Sequence, residues 1–127
     1  MKAYIINMRP YIVKGTENKI RVDESGQPVL EADGVTPILG LEFPMKRNTV
    51  EVFMSTPATG RAVIKSMQLG VKIEELEGDD LYLDRLEYKL LVESFEKFAG
   101  FRPLIDGEMC QRIFEAEEVD IKPEGTN

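Results

Sequence analysis

Histidine is absent from this 127-residue chain, and cysteine occurs once, at Cys110. The first absence removes the commonest general base near neutral pH and the commonest transition-metal ligand. Together they exclude Ser-His-Asp and Cys-His nucleophile sets and any His/Cys zinc centre within one copy. A lone cysteine also excludes an intrachain disulfide framework and fits a reducing compartment. No apolar run approaches the ~18 residues that span a bilayer. The opening stretch 1–12, interrupted by Asn7, Arg9 and Pro10, lacks the apolar centre of a secretion signal. A cytoplasmic protein is expected.

What is present is a globular composition, 43 % hydrophobic and 31 % charged, with the charges split along the chain. Residues 1–72 carry ten Lys/Arg against seven acids (+3), and residues 73–127 carry six against sixteen (−10), which sum to the net −7. That net charge disfavours non-specific binding to nucleic acid or anionic lipid, so neither direct nucleic-acid binding nor membrane binding is expected. The length suits one domain, read as 1–120, followed by a flexible acidic tail over 121–127.

The pattern changes with the charge. Residues 2–7 read as a strand, and Tyr11-Ile12-Val13 resumes extended structure after Pro10. Lys19–Asp23 alternates polar and apolar residues, with Val29–Ala32 as its return strand across the turn Glu24–Pro28. Asp33-Gly34 is a further turn, and Thr36–Phe43, broken by Pro37 and Gly40, reads as irregular or edge structure. Thr49–Met54, rich in β-branched and aromatic residues, reads as a strand. Ser55-Thr56-Pro57 predicts a helix start and Gly70 its end. A short hairpin, Val71–Glu77 with Leu81–Leu83, is expected next. Asp84 and Glu87 form a capping box ahead of the apolar spacing Tyr88, Leu91, Val92, Phe95, Phe98. A last helix runs from Pro103 or Asp106 to about Glu117. The expected fold is α+β: N-terminal antiparallel hairpins or a small sheet packed against about three C-terminal helices.

Two sets of residues are candidate sites. Thr56, Thr59, Gly60, Arg61 and Lys65 cluster where a helix should begin, and unpaired amides with the helix dipole attract phosphate or carboxylate there. Lys46 and Arg47 are candidates to join them. Ordinary capping explains the hydroxyls more readily than anion binding does, and there is no Walker-type Gly-Lys-Ser/Thr. The aromatic set Phe95, Phe98, Phe101 and Phe114 reads as core, part of which is a candidate partner interface. The acidic run 74–84 departs from the spacing of a calcium loop and reads as a solvated hairpin, so no metal site is assigned. Asp80 with Glu87-Tyr88-Lys89 lacks the adjacent-strand geometry of a metal nuclease. Cys110, among apolar positions and near Asp106, Glu108, Glu115 and Glu117, reads as buried and structural rather than reactive.

Leu81–Leu91, followed by Phe101-Arg102-Pro103-Leu104-Ile105 and a short acidic last helix, resembles small uncharacterised proteins of tailed bacteriophages. The likeness covers residues 60–118. It implies a phage or prophage origin, hence the host cytoplasm, and no assigned activity. The expected function is a non-enzymatic accessory protein that binds a partner protein as a homo-oligomer, either a host-factor inhibitor or a virion-assembly factor. Its acidic half suits a basic host surface. The alternative is a small-molecule binder that sequesters a nucleotide or other anionic signal. No cofactor is expected.

Overall fold

A computed structural model describes residues 2–121. The expected α+β class is observed, with a three-stranded antiparallel sheet, a two-stranded ladder and four helices among the described residues. Strand β1 (Lys2–Asn7) occupies the centre of the sheet. On one side it pairs with β4 (Asp80–Leu83), Ile6 facing Leu81, and on the other with β5 (Glu117–Asp120), Ala3 facing Val119. The smaller ladder joins β2 (Tyr11–Ile12) to β3 (Glu42–Phe43).

The helices are α1 (Met45–Ser55), α2 (Ala62–Glu74), α3 (Arg85–Lys97) and α4 (Pro103–Phe114). Helix α3 follows β4 directly and packs with α4 on the sheet, while α1 packs against α2 and α3. One core of buried residues runs through these elements, among them Ile6, Phe53, Ile73, Leu83, Leu91, Phe95 and Ile113. Helix α4 also clasps the corner between β1 and β2. Arg112 lies 5.0 Å from the Tyr11 ring centroid and donates to the carbonyls of Asn7 (3.0 Å) and Arg9 (2.6 Å). The Tyr11 hydroxyl donates to the Ile105 carbonyl at 2.8 Å and accepts the Met109 N–H at 3.2 Å.

Several expectations are corrected. Thr49–Met54 is helix, not strand. Met45, Thr49, Val52 and Phe53 are buried at the i, i+4, i+7, i+8 spacing of one helical face, and the Thr49 hydroxyl donates back to the Met45 carbonyl at 2.7 Å. Helix α2 starts at Ala62 rather than at Pro57 and runs through Gly70 to Glu74, so 71–77 does not form a strand. Strand β4 is real but pairs with β1. The 121–127 segment bears one acid and one base, Glu124 and Lys122, and so is neutral. Beyond Ile121 it lies outside the described residues.

Between β2 and β3 the chain forms an arm, and both turns read from the sequence are found in it. Three extended segments meet there in a closed ring of backbone bonds. Arg21 N–H donates to the Ile38 carbonyl, Ile38 N–H to Val29, and Val29 N–H to Arg21, each at 2.8 Å. At one turn the Asp23 carboxylate accepts from the Ser25 and Gln27 amides, and at the other Asp33 accepts from those of Val35 and Thr36. These bonds, with the Thr36 hydroxyl foremost, hold the Asp33 carboxyl down to about 2. Few apolar side chains find cover here. Val29 and Ile38 are half-buried, whereas Ile20, Val22, Leu30, Val35 and Leu39 are exposed.

Candidate functional site

The residues singled out for anion binding are not brought together. Thr56 ends α1 instead of starting a helix. Its hydroxyl donates to the Val52 carbonyl at 2.9 Å and accepts from the Ser94 hydroxyl at 2.9 Å, so it ties α1 to α3. Thr56 and Thr59 line a shallow hollow of about 160 Å³ with Ser94 and Lys97, but Gly60, Arg61 and Lys65 do not line it. At the start of α2 the Ala62 and Val63 amides are already bonded to the Thr59 and Gly60 carbonyls, at 3.2 and 3.3 Å. Lys46 turns to the Leu76 carbonyl at 3.1 Å, while Arg47 pairs with Glu51 at 3.3 Å. Neighbouring residues on a helix diverge by about 100°, which separates the two cations.

The four phenylalanines do cluster, mainly as packing. Phe95 is 1 % exposed, stacked on Phe101 at 5.5 Å and edge-on to Phe114 at 6.3 Å, so it presents no surface to a partner. Phe98 and Phe101, 4.7 Å apart, are half-buried, and Phe114 remains 41 % exposed. Cys110 is half-buried, and burial together with the nearby Asp106 carboxylate pushes its thiol pKa up, against thiolate formation. Among the described residues no three acids or cysteines gather around a point that would hold a metal ion, and no helix is long and apolar enough to cross a membrane.

The larger concavity lies where the arm joins the body. A cleft of about 730 Å³ opens between the loop after β2, strand β3, the first turns of α1 and the start of α4. Val13, Leu41, Phe43, Leu104 and Ile105 supply apolar wall; Lys14, Lys19, Arg47 and Arg102 supply four cations against the two acids Glu42 and Glu51. Among the described residues Lys14 and Lys19 make no ion pair, whereas Arg102 meets the buried Asp106 carboxylate at 3.3 Å. A second hollow of about 400 Å³ adjoins the cleft across Asn48, Glu51 and Arg102 and continues past Val52 and Ser55 to Phe98 and Phe101. The positions Asn48, Glu51, Val52 and Ser55 form one face of α1, so the two hollows make a single groove beside that helix.

Of the cations expected in a site, only Arg47 lines this groove. The phenylalanines Phe98 and Phe101 line its far end. Nothing local in the sequence marks Lys14, Lys19, Asn48 or Arg102 as a site. They come together only when α4 docks beside α1 and the base of the arm. An apolar wall with unpaired ammonium groups suits a ligand or peptide that is itself apolar and anionic. Comparison with known protein families, curated proteins and solved structures found no match.

Proposed function

We propose that this chain is a non-enzymatic, phage-type accessory protein that binds a partner protein through the arm and the groove at its base. One observation carries the reading. Of the sixteen large hydrophobic side chains exposed among the described residues, seven (Ile12, Ile20, Val22, Leu30, Val35, Leu39 and Leu41) lie in the arm and the strand it leaves from. The arm thus carries a disproportionate share of the exposed apolar side chains. Single-chain soluble proteins rarely leave contiguous apolar surface uncovered unless something docks there. The arm is held in one shape by its own backbone ring, so a partner meets it with little ordering cost. The segment that fits is apolar with acidic groups for Lys14, Lys19, Arg47 and Arg102. This sign is opposite to the basic host surface expected from the acidic half.

Site-specific photo-crosslinking tests this reading. Benzoylphenylalanine at Leu30 or Val35 should give discrete protein adducts in the host cell, and the same group at Glu96 on α3 should not. Adducts between two copies assign the arm to homo-oligomer formation. A monomer by light scattering with no arm-specific adduct refutes the proposal.

The four cations in the cleft favour a second reading, a small ligand with an anionic group and an apolar body. At about 100 times its dissociation constant such a ligand stabilises the fold by about 2.7 kcal/mol. A thermal-shift screen of nucleotides, repeated with Lys19→Ala and Arg47→Ala, decides it. No shift with any anion removes it.

A further inference from the structure

Helix α2 carries apolar residues on two sides. Leu69, Gly70 and Ile73 face the core, while Val63 (49 % exposed), Ile64 (56 %), Met67 (53 %) and Val71 (43 %) face outward. At 100° per residue these four fill an arc of about 100° on the outer side of the helix. Met54, at the end of α1, extends the patch. Its thioether lies against Gly70, where a Cβ would collide with the sulfur, so the glycine lets an exposed methionine lie flat beside the helix. Arg61, Lys65 and Lys72 occupy the third side of α2. Lys72 is held by Glu87 at 3.0 Å, and among the described residues Arg61 and Lys65 have no acidic partner.

We propose that this face docks an amphipathic helix from another protein, with acidic residues flanking its apolar stripe. From Val63 to Val71 the patch is about 12 Å long, two turns of helix, which matches anchors at i, i+3 or i+4, and i+7. Met67 in the middle of the patch and Met54 at its edge adapt to differing side chains. The charge pattern selects the occupant. An anionic bilayer would feel the whole chain, which carries −7. A short acidic helix laid over Val63–Val71 meets Arg61 and Lys65, with Glu74 and Glu75 beyond the C-terminal end of the patch.

The test uses a labelled 16-residue peptide with leucines at i, i+3, i+4 and i+7 and glutamates on either side, read by fluorescence anisotropy. A control peptide carries lysines in place of the glutamates. The glutamate peptide should bind, more weakly as salt rises. Met67→Asp should weaken it at least about tenfold, and Arg61→Glu with Lys65→Glu should make the lysine peptide the better ligand. Circular dichroism confirms that each variant is folded, and Met67→Gln serves if Met67→Asp is not. Leu30→Asp in the arm should leave peptide affinity unchanged, which separates this surface from the arm and its groove. Equal affinity for the two peptides, or none for either, overturns the proposal. So does a dimer dispersed by Met67→Asp, or retention on phosphatidylglycerol vesicles that this variant abolishes.

Discussion

Gly40 closes the arm onto the body at φ +84°, and a Cβ there would lie 2.7 Å from Cγ2 of Ile12. The left-handed backbone alone disfavours an L side chain by about 1–2 kcal/mol, and Ile12 must also move. Gly40→Ala is therefore expected to lower stability by about 2 kcal/mol, read from the urea midpoint, with amide protection lost first in the arm. Tyr11 gives a pH signature. Burial pushes its phenol from 10.0 up to about 12. The folded state holds this proton more tightly than the unfolded chain does. Its contribution to stability is whole below pH 10 and is lost as pH rises from 10 towards 12. Stability measured across that window should decline in the parent chain and decline less in Tyr11→Phe.

Among the elements, α3 shows how much a local signal can carry. Asp84 accepts the Glu87 N–H at 2.8 Å, and the Glu87 carboxylate accepts the Asp84 N–H at 3.0 Å, both as the capping-box spacing predicts. Asp84→Ala should cost about 1 kcal/mol in chemical denaturation, with the loss centred on the first turn of α3. Helix α1 shows where such signals mislead. Its Thr, Val and Phe residues have strand propensity, yet their burial follows helical spacing, and packing against α2 and α3 outweighs propensity. The turns at Asp23 and Asp33 were legible for the same reason as α3, since their hydrogen bonds span two to four residues. The groove was not. Lys14 in the loop after β2, Arg47 on α1 and Arg102 just ahead of α4 are far apart in sequence, and no spacing rule joins them.

At the scale of the whole molecule the arm is an appendage with its own bonding. Its two ends meet where Gly40 N–H donates to the Lys19 carbonyl at 2.8 Å, so a tight turn can stand in for everything between them. Replacing 20–39 by Asn-Gly should shift the melting midpoint of the body by no more than about 4 °C, while removing the crosslinking and binding assigned to the arm. A collapse of the body's melting transition would instead make the arm part of the folding unit.

The central place of β1 has a temporal consequence. Its two neighbours are β4 and β5, and the ion pair between Lys2 and Asp120 spans 118 residues of sequence. Ribosomal synthesis delivers this strand long before either flank exists. Until both arrive, its amides and carbonyls stand open to any extended chain nearby, including that of a nascent neighbour. The molecule is thus most vulnerable to mispairing at birth, and chaperone attention during translation should matter more to its yield than the strength of the finished core.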